Sequence, residues 1–366
     1  MTVEQRPSPA PFSLVREEDG HVWGDFAEVE GLFGEPRSGT YELFDWVPET
    51  TGAPAPAPAP EWLGSTVWLV PEDGTLDAWR LADVEAVGLR AAAGRLVLLG
   101  EDDCDGPPEG HRGPVRIHDG TRWLGSCQEF AAVLPAEPAA PPLVLRGLAP
   151  SEELRRALAT GTRKALELET AVLELRDAHG APLTDRRLWA SVTAWRPSAL
   201  GPELLDVEFD GSFVDPVPEF ARPLWERWLA GPPTTPGAWA GLDTRRRGAW
   251  HDLVRERACR RTHEDRPAGT AYTLDGRHVT DEPSLWLALG EAVNGPGGYF
   301  GGCLQALHDC QGGGFGFTAP STLTWRNSDV ARAHLSRALS PDGDPYDLFA
   351  VTVHALEEDG MRVVRA

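Results

Sequence analysis

The stretch Gly297-Gly-Tyr-Phe-Gly-Gly-Cys-Leu-Gln-Ala-Leu-His-Asp-Cys310 decides how the C-terminal part of this 366-residue chain folds. Its glycines supply the backbone angles that a tight loop needs just before a helix. The apolar residues that follow recur at the spacing of one helix face, which predicts that this face is buried. The buried face would carry Leu304 and Leu307, with Cys303 and Cys310 as further candidates, and the opposite face Gln305, His308 and Asp309. No base, nucleophile or ligand set converges there, so the pattern favours a surface that meets a partner over a catalytic pocket.

Further elements flank this stretch in a regular order. They are a strand and turn at Tyr272-Thr-Leu-Asp-Gly276, an apolar helix at Leu285–Ala292, a strand at Leu323–Arg326, a helix at Leu348–Leu356 and a strand at Met361–Val364. In this order and spacing, the segment from about residue 270 to 366 resembles the barstar family of intracellular ribonuclease inhibitors. The resemblance implies an α/β fold with a small parallel three-stranded sheet and helices.

The resemblance also implies which residues would contact a partner. In barstar-like proteins an aspartate late in the second helix occupies the position of a substrate phosphate, and Asp309 stands at the matching place. Tyr299 matches an aromatic residue that packs against the enzyme, although it could equally anchor the loop to the core. Gly301 matches the loop glycine, and Phe315 lies near a contacting aromatic residue. The implied partner-binding surface comprises Tyr299, Gly301, Gln305, His308, Asp309 and Phe315, and the implied partner is a basic ribonuclease or nuclease toxin.

The sequence departs from the family pattern at several of these positions. Gln305 stands where the family has a second aspartate, Cys303 replaces an asparagine, and His308 replaces a tryptophan. Ala355 aligns with a contacting glutamate, although three acids follow at 357–359. The loss of one central acid argues against tight inhibition of a barnase-like enzyme and favours a different ribonuclease or toxin. The alternative is an interaction scaffold that keeps the fold and no longer inhibits.

Charge and composition bound the class of partner. The formal net charge of −22 disfavours nucleic acid and anionic membranes and favours basic proteins through long-range attraction. No run reaches the roughly 18–20 apolar residues that a membrane-spanning helix needs. The N-terminus shows no secretory signal, and five cysteines without CxxC pairs are typical of a reducing compartment. We therefore expect a cytoplasmic protein with no membrane partner.

The N-terminal two-thirds contain a repeat with an offset near 100 residues. Val15–Gly24 recurs as Val115–Leu124, and Val67–Gly74 is echoed by Val172–Gly180. Short β-prone runs that stop at Asp-Gly or His-Gly predict hairpins in both copies. The sequence therefore predicts a tandem of β-rich modules at residues 11–110 and 111–215, within a multi-domain α+β protein. The first copy would carry a polyproline-like spacer at residues 52–60, and the second a helix capped by Ser151.

Residues 216–268 are predicted to connect the repeats to the barstar-like domain at 269–366. One helix is expected over Glu219–Leu229, and a second is expected to begin near Asp243 or Thr244. The second helix carries the one basic stretch, with seven arginines from Arg245 to Arg261. Such a helix could hold RNA phosphates, but in a chain this acidic we expect it to pack on its own acidic neighbours or to be solvated.

Enzymatic and metal-binding roles find little support. Cys303, His308 and Cys310 are ligand types for zinc, but no fourth ligand with suitable spacing accompanies them. His308-Asp309 and His263-Glu264-Asp265 are adjacent in sequence, and adjacent side chains do not usually face each other. No nucleophile elbow, phosphate-binding loop or metalloprotease motif occurs in a suitable context. We expect a binding protein with no catalytic residues, no metal and no cofactor.

Overall fold

The fold combines antiparallel sheets with a small parallel sheet and helices. The computed structural model describes residues 10–34, 38–49, 60–74, 76–90, 94–102, 113–134, 143–261 and 263–366. Two large antiparallel sheets come from the N-terminal two-thirds, and a three-stranded parallel sheet comes from the C-terminal part. The predicted mixture of a β-rich region with a small parallel α/β region is therefore confirmed.

The strands are β1 (Phe12–Arg16), β2 (Val22–Phe26), β3 (Glu28–Glu30), β4 (Gly39–Phe44), β5 (Val47–Pro48), β6 (Glu61–Pro71), β7 (Trp79–Arg90), β8 (Arg95–Asp102), β9 (Val115–His118), β10 (Trp123–Cys127), β11 (Glu129–Leu134), β12 (Leu143–Pro150), β13 (Glu167–Arg176), β14 (Pro182–Pro197), β15 (Leu205–Phe213), β16 (Ala271–Asp275), β17 (Ser321–Arg326), β18 (Ala338–Leu339), β19 (Pro345–Tyr346) and β20 (Met361–Arg365). The helices are α1 (Glu152–Thr160), α2 (Arg163–Leu166), α3 (Arg222–Ala230), α4 (Thr244–Cys259), α5 (Glu282–Asn294), α6 (Leu304–Gln311), α7 (Ser328–Leu335) and α8 (Leu348–Glu358).

The first antiparallel sheet closes on itself. Its order is β15-β14-β13-β1-β2-β12-β3, and β12 pairs with β15 as well. Six strands therefore form a ring without a free edge, which protects the strands from pairing with other chains. Leu14, Leu173 and Val207 are buried apolar residues on three of its strands.

The second antiparallel sheet has the order β11-β4-β8-β7-β6-β9-β10-β5. Alternate residues along its strands are buried, as expected for a sheet with one face on the core. Its core contains Leu43, Val67, Leu81 and Leu98, and it forms a cluster separate from the core of the first sheet.

The two copies of the repeat exchange strands. The hairpin β1–β2 of the first copy pairs with β13 of the second, while the hairpin β9–β10 of the second copy pairs with β6 of the first. Each large sheet therefore draws strands from both copies, and the predicted boundary near residue 110 does not separate two sheets. The sequence repeat could not predict this exchange. The order of strands along the chain is the same whether each hairpin pairs within its own copy or with the other copy.

The two hairpins share the same turn chemistry. Both turns end in a glycine with a left-handed backbone, Gly20 at φ 71° and Gly120 at φ 83°. In each turn an aspartate accepts a backbone hydrogen bond: Asp19 from His21 and Asp119 from Thr121. This turn geometry selects Asp-Gly. The turn therefore sets the register between the two strands of each hairpin, and this register does not depend on which copy the hairpin pairs with.

The helices predicted for the second copy and for the connector are found close to their expected places. Ser151 caps α1 by accepting a hydrogen bond from the Leu154 backbone, and Asp243 caps α4. The first connector helix begins as a 3-10 turn at Glu219–Ala221 and continues as α3. The predicted proline-rich spacer lies, apart from Pro60, outside the described residues.

One core runs through the first sheet, the connector and the C-terminal part. It includes the buried indoles of Trp228 and Trp250, whose rings meet edge to face at 5.4 Å, together with Leu14 and Trp325. The predicted boundaries near residues 216 and 269 therefore do not separate independent cores. The connector contributes to the core because α4 packs against β14 and α5.

The C-terminal part has the predicted order of elements. Its sheet is parallel, in the order β16-β17-β20, and α5 and α8 pack against its outer strands. Helix α7, which the sequence analysis did not predict, begins after Asn327, a residue in the left-handed region. The stretch from residue 297 to 303 joins α5 to α6.

We predict that Trp250→Ala lowers the free energy of unfolding by about 3–5 kcal/mol, because it leaves a cavity and unpacks Trp228. Trp189→Ala is the matched control, since this indole on β14 is 63% exposed, and it should cost about 0.5 kcal/mol or less. Urea unfolding followed by circular dichroism measures both values. Equal losses for the two variants would contradict the shared core.

Candidate functional site: the acidic face of helices α6 and α8

Helix α6 presents the predicted polar face. It begins at Cys303, whose Sγ accepts a hydrogen bond from the Ala306 backbone at 3.4 Å. Leu307 and Cys310 are buried, whereas the side chains on the other face are open to solvent. The exposed residues are Gln305, His308 and Asp309. The amphipathic pattern therefore predicted the buried Leu307 and Cys310 and the exposed polar residues, whereas Cys303, a further candidate for the buried face, is exposed.

A cleft of about 420 Å³ lies between α6 and α8. It is lined by Leu304, Gln305, His308, Ala355, Glu358 and Asp359. Two of these residues are apolar and two are acids, so the cleft can accept a side chain with an aliphatic stem and a cationic end. Ala355 matters here because a longer side chain at this place would reduce the space between the helices.

Asp309 lies one turn after Gln305 on the exposed face. The Gln305 Nε2 donates a hydrogen bond to the Asp309 Oδ1 at 3.3 Å. This neutral contact orients the carboxylate without neutralising it, so the charge stays available to a cation from outside. A second aspartate at position 305 would have doubled the charge, but it would have repelled Asp309.

His308 bridges the two helices. Its Nδ1 lies 2.8 Å from the Asp359 Oδ2, at the end of α8. The pKa of His308 is raised, chiefly by the hydrogen bond to Asp359 and next by the negative charge of Asp359. The charges of Asp309 and Glu358 raise it by smaller amounts. Protonation would convert this contact into an ion pair and reduce the negative charge of the cleft.

Tyr299 does not lie on this surface. It is only 5% exposed, and its ring packs between those of His251, at 5.7 Å, and Phe315, at 6.1 Å. Burial raises the pKa of its hydroxyl to about 12. Tyr299 is therefore too buried to contact a partner, which corrects the expectation from the resemblance. Its role is to anchor the loop to the core, the alternative that the sequence left open.

Gly301 is also buried, and its role is conformational. Its φ is 97°, and a Cβ there would lie 3.1 Å from the Leu307 Cα. Its carbonyl accepts a hydrogen bond from His251 Nε2 at 2.9 Å. Burial lowers the pKa of His251 to about 4, so this imidazole is neutral at physiological pH. Gly301 is thus covered by α4, and its assignment to the partner surface is corrected.

Phe315 is partly buried beneath the segment that follows α4. Its ring stacks on that of His263 at 5.9 Å. Asp265 accepts hydrogen bonds from the backbone N–H groups of Gly314, at 2.8 Å, and Gly316, at 3.0 Å, and these bonds lower its pKa. Because its ring is partly covered, the Phe315 side chain contributes little to an exposed surface.

Sequence reasoning missed His251, His263 and Asp265, which hold the glycine-rich loops in place. The last two were considered only as an acid/base pair, because the resemblance covers residues 270–366 and says nothing about what lies over the loops. The available signal was the spacing of Trp250, Leu253 and Val254, which are buried on one face of α4.

Most arginines of α4 pair with acids. Arg245 reaches Asp83 and Glu85 on β7, and Arg247 reaches Asp281 at 2.9 Å. Arg246, Arg255 and Arg260 pair with Asp243, Asp252 and Asp185. The expectation that this helix packs on acidic neighbours is confirmed for Arg245, Arg247 and Arg260, whereas Arg246 and Arg255 pair with acids three residues earlier on the helix itself or at its cap. A continuous row of free cations for RNA is not found among the described residues.

The described part of the chain shows neither a cluster of metal ligands nor a membrane-spanning helix. No group of three or more histidine, cysteine, aspartate or glutamate residues there could hold a metal ion. Cys310 is buried, whereas Cys303 is exposed. None of the helices within the described ranges is long and apolar enough to cross a membrane.

Comparisons with known proteins identify no relative of this chain. No family model, curated protein or solved structure matches the chain. The resemblance to barstar accordingly rests on the residues and element order of the C-terminal part.

We predict that the pKa of His308 lies above the ordinary value of about 6.5 and falls in Asp359→Asn, because the hydrogen bond and charge of Asp359 raise it. Since the folded-state pKa is raised, the pairing stabilises the fold below the unfolded-state pKa. This contribution is lost as the pH rises through the folded value. Histidine ¹⁵N chemical shifts followed across a pH titration measure it. Asp329→Asn on α7 is the control, and an equal shift there would contradict the assignment.

We predict that Arg245→Ala destabilises the fold by about 1–3 kcal/mol, because it leaves Asp83 and Glu85 without their cation in a partly buried place. Arg246→Ala should cost less than about 1 kcal/mol, since that pair with Asp243 is more exposed. Thermal unfolding of both variants provides the measurement. A larger loss in the Arg246 variant would refute the link between α4 and the second sheet.

Proposed function

We propose that this protein is a cytoplasmic inhibitor that binds a basic ribonuclease or nuclease toxin and blocks its active site. The observation that carries the proposal is the exposed Asp309 on a rigid helix, next to a cleft that Glu358 and Asp359 make acidic. The resemblance of the C-terminal part to barstar supports the same role.

The chemistry of the proposed inhibition is simple. A nuclease active site holds phosphate with arginine, lysine or protonated histidine. A carboxylate on a rigid helix can take the phosphate position and accept charge-assisted hydrogen bonds from these groups. It blocks substrate by occupying the site, and the net charge of −22 speeds encounter with a basic partner.

The proposed contact surface differs from the one that the resemblance implied. Gln305, His308 and Asp309 remain in it. Glu358 and Asp359 of α8 take the place of Tyr299 and Gly301, which α4 and the loop packing cover. The charge that Gln305 lacks is thus supplied from a neighbouring helix. A partner would meet two adjacent helices with an acidic cleft between them.

A non-inhibitory scaffold is the second candidate, and one observation favours it. Helix α4 and residues 263–265 cover the loops around Tyr299 and Phe315, so the exposed surface is smaller than a loop-and-helix surface would be. A scaffold would use the acidic face to hold a partner without blocking a catalytic site. Co-purification from the native cell distinguishes the two, because an inhibitor brings down a nuclease and a scaffold brings down another protein.

We predict that the protein reduces the activity of at least one enzyme in a panel of guanyl-specific ribonucleases and nuclease toxins. Asp309→Ala should raise the inhibition constant roughly 30-fold or more, because truncating one partner of a close charge pair costs about 2–5 kcal/mol. Asp329→Ala on α7 removes another exposed acid from a different helix and should change the constant less than about twofold.

Residual nuclease activity at increasing inhibitor concentration provides the measurement. Undiminished activity across the whole panel would remove the inhibitor proposal. Inhibition that Asp309→Ala leaves unchanged would show that blocking occurs through another surface.

A further inference from the structure

The second antiparallel sheet has a core of its own. Its buried apolar residues form a cluster separate from the core that the first sheet shares with the C-terminal part. This sheet also closes on itself, because β10 pairs with β5 while β11, the next strand, pairs with β4. A closed sheet with its own core can change its position without unfolding. The contacts that hold it against the rest of the chain therefore decide whether it is docked.

One of these contacts is made by Arg245. This side chain pairs with Asp83 and Glu85 on β7, and its guanidinium lies 4.0 Å from the centroid of the Phe220 ring. An arginine keeps its positive charge at neutral and mildly acidic pH. We therefore expect this contact to persist when the pH falls.

The other contact joins two hairpins that are far apart in the sequence. The turn between β9 and β10 lies against the loop between β18 and β19 of the C-terminal part. The Leu339 backbone donates a hydrogen bond to the Gly120 carbonyl at 2.7 Å. The His118 Nε2 lies 3.1 Å from the carbonyl oxygen of Pro341. Hydrogen bonds therefore cross this contact at two places.

An indole ring fills the space beside these hydrogen bonds. The Arg116 guanidinium lies over the Trp123 ring, 3.7 Å from its centroid. Gly343 packs so closely on the same ring that an added Cβ would lie 2.2 Å from it. The contact therefore requires glycine at this position of the loop. We call residues 118–123 and 338–346 together the hairpin latch.

His118 is fully buried in the hairpin latch, and both of its ring nitrogens have partners. Its Nδ1 accepts a hydrogen bond from the Gly120 backbone at 3.1 Å. The proton of the neutral ring therefore sits on Nε2, which donates it to the Pro341 carbonyl. A second proton, on Nδ1, would face the N–H group of Gly120, and two donors cannot hydrogen-bond. The hairpin latch thus fits the neutral imidazole alone.

The charged groups of the β9–β10 hairpin compensate little for a protonated His118. Asp119 accepts hydrogen bonds from the backbones of Thr121 and Arg122, at 2.9 Å each, and from the Arg122 Nε at 3.1 Å. Burial lowers the pKa of His118, and the smaller opposing effects of its hydrogen bond and of the Asp119 charge do not reverse this. The positive charge of Arg116 adds to the lowering.

The other elements packed against His118 do not pair it with a carboxylate. Strand β6, which pairs with β9, has no charged residue from position 62 to 71, and β10 has none. Asp342 and Asp344 of the loop are exposed, and neither forms an ion pair with His118 within the described ranges. A charge on this imidazole would therefore be buried without a partner, which is costly.

We propose that the hairpin latch is a pH-sensitive contact, which holds the second antiparallel sheet against the C-terminal part at neutral pH and opens on mild acidification. Protonation of His118 replaces its hydrogen bond with Gly120 by a repulsive contact. Docking favours the neutral ring, so His118 contributes fully above the undocked pKa of about 6.5. The contribution is lost progressively as the pH falls from there to the lowered pKa of the docked state. Arg245 tethers the sheet while the latch is open, and the proposal does not depend on nuclease inhibition.

Amide hydrogen exchange of the full chain, followed by NMR, tests the hairpin latch. The Leu339 amide is protected by Gly120 while the latch is closed. From about pH 7.5 to about pH 5.5, its protection factor, corrected for intrinsic exchange, should fall by about three- to tenfold, the range that one histidine with an undocked pKa near 6.5 allows. His118→Gln cannot be protonated and should abolish the fall. His354→Gln, which changes an exposed histidine on α8, should leave the fall intact.

Gly343→Ala supplies an open reference, because its Cβ would collide with Trp123. The Leu339 amide should lose protection at both pH values, while circular dichroism verifies that the sheets stay folded. In this variant the pKa of His118, measured from ¹⁵N shifts, should rise from its wild-type value toward about 6.5. This comparison also decides the question if His118→Gln fails to dock.

Three results would each overturn the proposal. The first is a wild-type Leu339 protection factor that changes less than about twofold between the two pH values. The second is a fall in His118→Gln equal to that of the wild type. The third is a Gly343→Ala variant in which Leu339 stays protected or the pKa of His118 equals that of the wild type.

Discussion

The burial of one face of α4 is the interaction on which the rest of the structure depends. Trp250 joins this helix to the common core, and Arg245 ties its first turn to the second antiparallel sheet. Glu256 pairs with Arg186 on β14 at 2.8 Å, and His251 holds the carbonyl of Gly301. A single helix thus contacts both large sheets and the C-terminal part. Its basic composition follows from these contacts, because the neighbouring elements are acidic.

This arrangement also determines which surface remains open for recognition. Helix α4 and the segment after it cover the glycine-rich loops, so the partner-accessible residues shift from the loop to the outer faces of α6 and α8. Asp309, Glu358 and Asp359 are the acids there, and His308 moderates their charge through its contact with Asp359.

Local patterns in the sequence were sufficient for most elements of the C-terminal part. The spacing around Leu307 predicted the buried and exposed faces of α6, and Ser151 and Asp243 predicted two helix starts, because capping and amphipathicity are properties of neighbouring residues. The burial of Tyr299 and Gly301 could not be predicted in this way. This burial depends on α4, which lies about fifty residues earlier in the chain. No local pattern predicts which distant element covers a loop. The strand exchange escaped prediction for the same reason.

The exchanged hairpins have a consequence for the order in which the chain is made. Ser13 on β1 meets Arg176 on β13, which is 163 residues later. At roughly 5–20 residues per second, a ribosome needs on the order of 10–30 s between the two. During that interval β1 lacks its neighbour β13, and the first sheet cannot close. Synthesis therefore passes through a stage in which the β1–β2 hairpin is complete and its partner strand β13 has not yet been made.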